Sequence, residues 1–125
     1  MKQYNEIITN IIKDLGIPAS LKGYHYIRYA VELLCDDITL VNAITKQLYP
    51  SVAMHFKTTS SRVEKAIRHA IKVGWSRGNY DMMMRLFGYS VSLSKGNPTN
   101  SEFLSTVADY ILLKEAHPTE KGGAE

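Results

Sequence analysis

The segment spanning residues 60–77 constrains the fold most, because its apolar residues recur at the spacing of an α-helix. At about 100° per residue, the apolar positions between residues 61 and 76 share one arc of roughly 140°. They are Val63, Ala66, Ile67, Ala70, Ile71 and Gly74. The opposite arc is polar and consists of Ser61, Arg62, Glu64, Lys65, Arg68, His69, Lys72 and Ser76. The sequence therefore predicts a helix with one buried face and one cationic face.

The rest of the chain is also predicted to be mainly helical, which gives an all-α fold of about six helices, unlike a winged helix. The other helical segments are residues 4–15, 21–35, 40–49, 50–56, 80–87 and, after a capping box at residues 99–102, a last helix to about Ala116. We expect Pro50 to separate the third segment from the fourth, because its ring clashes with the preceding turn. Residues 89–97 are predicted to be a loop. We therefore expect one domain over residues 1–116 and a disordered polar tail over residues 117–125.

A short helix over residues 50–56, a turn at Lys57-Thr58 and the long helix from Ser60 have the order of a helix-turn-helix. Two helices that cross steeply need a small residue at their closest approach, and Ala53 supplies it. Val52 and Phe56 flank Ala53, and we expect these residues to pack against Val63, Ala66 and Ile67 of the second helix. The cationic face would then be free to enter the major groove of duplex DNA.

Charge is distributed unevenly along the chain, and the net charge of +3 hides this. Residues 1–45 carry four basic and five acidic side chains, residues 46–95 carry nine and two, and residues 96–125 carry two and five. The middle third thus has a charge of +7 between two acidic flanks. Such a block is typical of a surface that binds a polyanion, although a solvated lysine-rich face is an equally good explanation of the charge alone.

Other functional classes find little support in the sequence. The histidines (His25, His55, His69 and His117) lack metal-ligand spacing, and Cys35 has no second cysteine to complete a zinc site and is expected to be buried. We therefore expect no enzyme activity, no metal and no cofactor. The aromatic segment 24–29 is expected to pack in the core, because no positive groove is predicted beside Tyr24. No apolar run is long enough to cross a membrane, and the chain is expected in the cytoplasm, on the nucleoid.

Several longer runs resemble one known family. KGYHYIRYAVELL, ITKQLYP, TTSSRVEKAIRHAIKVGWSRGN, LFGYSVS and KGNPTNSEF are similar to the C-terminal DNA-binding effector domain of the sporulation master response regulator, the stage-zero sporulation protein A family. The resemblance covers about residues 7–113. It implies a six-helix domain that recognises a short operator element in double-stranded DNA, as tandem copies or a homodimer, and regulates transcription. The family's receiver domain has no counterpart here, so the chain is either an excised half or a stand-alone relative.

The resemblance also implies roles for individual residues. The family's base-reading motif S-R-V-E-R is present as Ser61-Arg62-Val63-Glu64-Lys65, so the implied base-reading residues are Arg62, Glu64 and Lys65. Lysine replaces the second arginine of the motif, and a lysine cannot form the two-pronged contact that arginine makes with guanine. The implied contacts to the DNA backbone are Thr59, Ser61, Arg68, His69 and Lys72.

The family's surface for the RNA polymerase sigma factor follows the long helix. The implied positions are Gly78, Met82, Met84, Phe87 and Val91. This region contains the triplet Met82-Met83-Met84 where more polar residues are expected. An alternative function is therefore a degenerate stand-alone relative that binds another protein through a Met-rich surface, since methionine suits adaptable contacts. A third explanation is that some of these methionines fill the core.

Overall fold

The computed structural model describes residues 2–77, 80–88 and 96–116, and over these ranges the chain is helical without a strand. The six α-helices are α1 (Lys2–Asp14), α2 (Lys22–Asp36), α3 (Tyr49–Phe56), α4 (Ser60–Arg77), α5 (Tyr80–Phe87) and α6 (Asn100–Ala116). The predicted all-α fold is thereby confirmed. Most of the predicted loop at residues 89–97, and all of the predicted tail at residues 117–125, lie outside the described residues.

Helix α2 is the centre of the core, because it packs against α1, α4 and α6. Its completely buried stripe consists of Ile27, Ala30, Val31 and Leu34. The surrounding helices contribute further completely buried side chains, namely Ile8, Ile12, Ile67, Ala70, Phe103, Leu104, Val107, Ala108 and Ile111. Burying each of the larger apolar side chains stabilises the fold by about 1.5–3 kcal/mol. The position of α4 is therefore determined by one continuous apolar core.

Two glycines allow unusually close contacts with α4. A Cβ atom on Gly23 of α2 would overlap the carbonyl oxygen of Ala66 and lie 2.7 Å from the Cβ of Ala70. A Cβ atom on Gly74 of α4 would lie 2.8 Å from the carbonyl oxygen of Leu15. Backbone therefore approaches backbone at the middle of α4 and near its C-terminal end, which no larger residue would permit.

The segment before α3 differs from the predicted helix over residues 40–49. Residues Ile38–Asn42 form a 3₁₀ turn, and residues Ile44–Leu48 form a π turn that continues directly into α3. The predicted helix over residues 50–56 is confirmed to within one residue at its start, but the backbone stays helical across the boundary instead of breaking at Pro50. Tyr49 donates to the carbonyl of Ile44, one residue farther back than in an α-helix, and Pro50 lies in the first turn of α3, where a missing N–H is tolerated.

Two further expectations concern α2 and the membrane. Cys35 is buried as predicted, and desolvation, helped by the negative charges of Asp36 and Glu32, raises the pKa of its thiol to about 11.

No helix within the described ranges is both long enough and apolar enough to span a bilayer.

Candidate nucleic-acid interface

Helices α3 and α4 form the predicted helix-turn-helix, joined by a turn at residues 57–59. The turn begins with Lys57 in the left-handed conformation, at φ 57° and ψ 50°. The Thr58 N–H donates to the carbonyl of Ala53 at 2.9 Å, and the Lys57 N–H donates to that of Met54 at 3.3 Å. This pair of bonds ends α3 as a Schellman motif, with lysine at the position that glycine usually occupies.

The buried contact between the two helices follows the sequence prediction. Val52 and Ala53 of α3 are buried, and so are Val63 and Ile67 of α4. Phe56 and Ala66 are half-buried and pack against this core. The inner arc of α4 is thus confirmed, and the helix is fixed in a single rotational setting about its axis.

Thr59 caps the N-terminus of α4. Its Oγ1 accepts a hydrogen bond from the backbone N–H of Arg62 at 3.2 Å, and its carbonyl accepts one from Val63 at 3.0 Å. The first turn of α4 contains no acidic residue. The partial positive charge of this helix end is therefore not neutralised from within the turn.

The outer face of α4 is exposed along its length and carries the residues expected to contact DNA. The exposed side chains are Ser61, Arg62, Lys65, Arg68, His69 and Lys72. Glu64 is half-buried at one edge of this face. The structure thus brings together every residue expected to read bases or hold phosphates, with Thr59 at the end of the helix. No group of three or more His, Cys, Asp or Glu residues in the described ranges could hold a metal ion.

One edge of this face, which we call the Glu64 flank (Glu64, Arg68 and residues 97–100), is occupied by internal bonds. The Glu64 carboxylate pairs with the Arg68 guanidinium at 3.2 Å, as the i,i+4 alternative from the sequence anticipated. The two side chains are 35% and 55% exposed, so the pair stabilises the helix by only about 0.2–0.5 kcal/mol.

Asn100, at the first position of α6, connects the Glu64 flank to the helix-turn-helix. Its buried amide donates to the Tyr49 hydroxyl at 3.0 Å and to the Glu64 carbonyl at 3.1 Å. Burial raises the pKa of Tyr49, and the Asn100 hydrogen bond offsets part of that rise. Asn100 therefore joins α3, α4 and α6 at one point, a role that the sequence pattern did not reveal.

The opposite edge, which we call the Arg62 flank (Arg62, Lys22, Lys57 and Tyr26), borders the aromatic segment of α2. Tyr24 and Tyr26 are buried, as expected of core residues. Tyr26 also borders a cavity, whose lining consists of Lys22, His25, Tyr26, Phe56, Lys57, Thr58 and Arg62. The sequence alone did not indicate this cavity, because its basic residues come from separate parts of the chain.

The structure narrows the surface expected to contact the sigma factor. In α5, Met82 and Phe87 are buried and Met83 is buried beside them, whereas Met84 is 40% exposed. Phe87 packs against Trp75 and Phe103 with ring centroids 5.2 and 5.6 Å away. Two of the three consecutive methionines thus fill the core, which leaves little of the Met-rich surface that the alternative function requires. Gly78 and Val91 lie outside the described residues.

Comparison with known protein families gives a match that spans most of the chain. The model of the family described as sporulation initiation factor Spo0A C terminal matches residues 8–111. The matched range contains the helix-turn-helix, both flanks of α4 and most of α6.

Proposed function

Because the chain belongs to the sporulation initiation factor Spo0A C-terminal family, we propose that it binds double-stranded DNA sequence-specifically and regulates transcription where it binds. The family is one of DNA-binding output domains of sporulation response regulators, and it is not a family of enzymes. The proposal adds to this the sequence-specific reading of an operator by named residues of α4. It also places the protein on the nucleoid, with the domain at residues 1–116 as the binding unit.

The exposed outer face of α4 is the observation that supports this proposal most directly. A helix of 18 residues follows a short helix and a three-residue turn, and its inner face is buried while its outer face is basic. A helix in this setting can enter the major groove with its first turns toward the base edges. A purely structural role would not require so many basic side chains to remain exposed on one face.

In the proposed complex, each polar residue of α4 has a separate role. Arg62 donates to a guanine edge, the Glu64 carboxylate accepts from a cytosine amino group, and Lys65 donates to a second guanine. Phosphates are held by Thr59, Ser61, Arg68, His69 and Lys72. Binding requires Glu64 to exchange its Arg68 partner for a base, which costs little because an exposed ion pair of this kind is weak.

Selection of bound sequences from a random duplex pool tests this function directly. We expect one short element to be enriched and bound with a strong dependence on salt. If five phosphates are neutralised, the slope of log affinity against log salt concentration should be about −4 to −5. An absence of enrichment, or a flat salt response, would contradict the proposal.

Substitutions within α4 separate base reading from phosphate binding. Arg62→Ala is expected to relax preference at one base pair by about 1–3 kcal/mol, whereas Lys72→Ala should weaken all sequences about equally. Lys65→Arg should sharpen preference at one position and leave the salt slope unchanged, because the charge is conserved. Competition titrations against duplexes varied at each position measure all three effects. Identical profiles for the wild type and Lys65→Arg would remove Lys65 from the base-reading set.

Two further parts of the proposal concern partners. We propose that two copies bind in tandem or as a homodimer on neighbouring elements, as the family resemblance implies.

We also propose that the sigma factor of RNA polymerase contacts the surface around α5, where Met84 is the exposed member of the methionine triplet. A Met84→Asp variant that still binds DNA but no longer activates transcription in a reconstituted assay is the expected result.

A further inference from the structure

A cavity of about 350 Å³ on the Arg62 flank has a basic lining drawn from three parts of the chain. Lys22 lies in the first turn of α2, Lys57 begins the turn of the helix-turn-helix, and Arg62 lies in the first turn of α4. All three side chains are exposed. The Thr58 side chain adds a hydroxyl to the wall.

Several walls of this cavity are packed against neighbouring groups. The rings of Tyr26 and Phe56 form its apolar part, with centroids 5.0 Å apart. His25 also lines it, and its Nε2 lies 3.1 Å from the carbonyl oxygen of Ala19. The close approach of Gly23 to Ala66 brings the first turn of α2 against α4. The basic groups are therefore brought together by the fold, although they are far apart in the sequence.

The positive charges of the cavity are not balanced locally. The ion pair of Glu64 with Arg68 lies on the other flank. None of the residues that line the cavity is acidic. The charged residues of the lining are therefore all cationic, which favours an anion at this place.

The conformation of Lys57 is a second indication of a functional role. Lys57 has a positive φ, a conformation that is unfavourable for a residue with a Cβ atom and that glycine would adopt without strain. The side chain of Lys57 carries a positive charge and its residue lines the cavity, whereas glycine would bring no charge there. Backbone strain of this kind is found where function requires a particular side chain.

We propose that this cavity binds one phosphate of the DNA backbone beside the bases that α4 reads, with Lys22 and Lys57 as the residues that hold it. Arg62 lines the cavity and also stands on the exposed face of α4, so a duplex along that face passes the cavity. The proposal rests on the proposed function, because it assigns a further contact to the same duplex.

The experiment compares the wild type with the double variant Lys22→Gln/Lys57→Asn, since asparagine tolerates the left-handed conformation. The control, Lys13→Gln/Lys114→Gln, removes the same charge from α1 and α6, outside the cavity. Each protein is titrated with the selected duplex over a range of salt concentrations. For the cavity variant, we expect roughly tenfold weaker binding, a salt slope shallower by about 0.9, and unchanged base preference. The control should keep the wild-type slope.

A duplex series with one neutral methylphosphonate at each backbone position identifies the phosphate. One position should weaken wild-type binding clearly while leaving the cavity variant unaffected, because its contact is already lost. The inference is overturned if the cavity variant and the control lose affinity equally, or if no backbone position distinguishes the variant from the wild type. If the wild type itself binds no duplex, the proposed function fails instead.

Discussion

The first turns of α4 and α6 are built almost alike but end in opposite charges. Both begin with a capping threonine, followed by Ser60-Ser61-Arg62 in α4 and by Asn100-Ser101-Glu102 in α6. In α6, the Thr99 hydroxyl accepts from the N–H of Glu102 at 3.1 Å, and the Glu102 carboxylate accepts from the N–H of Thr99 at 2.8 Å. This is the complete capping box that the sequence predicted. In α4, the Thr59 hydroxyl accepts from the N–H of Arg62, but an arginine side chain cannot accept a bond from the N–H of Thr59 in return.

The first turn of α6 stabilises the fold through both bonds of its capping box. The first turn of α4 has no carboxylate that accepts from the backbone N–H of its capping threonine, so its positive end is not neutralised from within the turn. A carboxylate at the third helical position neutralises the positive end of the helix, whereas an arginine there adds to it. In α6, Thr99 and Glu102 bind each other's backbone N–H groups, and Asn100 donates to Tyr49 and Glu64. Helix α4 forgoes that stabilisation and exposes a positive end at the surface proposed to meet DNA. Four substitutions test this comparison, from the largest expected change in the free energy of unfolding to the smallest.

Asn100→Leu should have the largest effect. It removes the buried amide that serves the Tyr49 hydroxyl and the Glu64 carbonyl, and leaving such groups without a partner costs about 1–3 kcal/mol. Urea denaturation measures the loss. The control is Asn97→Leu, the same change at an exposed position, which should stay within about 0.5 kcal/mol of the wild type. Equal stability of the two variants would show that Asn100 does not join the helices.

Glu102→Arg should come next, because it converts the first turn of α6 into the type found in α4. It removes the bond to the Thr99 N–H and places a cation at a positive helix end, for a combined loss of about 1 kcal/mol. Thermal unfolding followed by circular dichroism reports the change. Glu102→Gln keeps an acceptor and should lose clearly less; an equal loss would contradict the capping-box explanation.

Arg62→Glu makes the reverse exchange in α4 and should change stability and DNA binding in opposite directions. The new carboxylate can complete a capping box with Thr59, so the free energy of unfolding should rise by about 0.3–1 kcal/mol. Binding to the selected duplex should be lost, because a carboxylate replaces a base-reading cation. Denaturation and titration of the same preparation test both parts. A destabilised variant would mean that Arg62 supports the fold.

Glu64→Gln should have the smallest effect on stability, a loss of about 0.2–0.5 kcal/mol from the exposed pair with Arg68. Raising the salt concentration to 1 M should remove most of the difference between this variant and the wild type, since screening weakens the pair. A larger loss that persists at high salt would show that Glu64 has a packing role in addition to its charge.

The sequence predicted those parts of the molecule that depend on neighbouring residues. The bounds of α2, α4, α5 and α6 follow from helical periodicity and from local caps such as Thr99 and Glu102. The buried arc of α4 followed for the same reason, as did the pairing of Glu64 with Arg68 as one alternative. These features arise within one or two helical turns, so a short window of sequence contains their causes.

What the sequence did not predict depends on contacts between distant segments. The π turn before α3 forms while Ile44 and Leu48 are both buried, and periodicity alone assigned that segment to an ordinary helix. Asn100 reaches Tyr49 across 51 positions of the chain, and its neighbours in sequence give no sign of this. The cavity on the Arg62 flank likewise depends on the approach of α2 to α4 at Gly23.

The two glycine contacts of α4 have a consequence for the DNA. Because Gly23 and Gly74 let the backbone of α4 touch neighbouring backbone at its middle and near its C-terminal end, the helix cannot tilt or slide without opening the core. A duplex whose groove does not match that fixed setting must itself twist or bend, and the energy of doing so depends on its base steps. Selected sites should then share preferences for flexible or stiff steps at base pairs that no side chain touches.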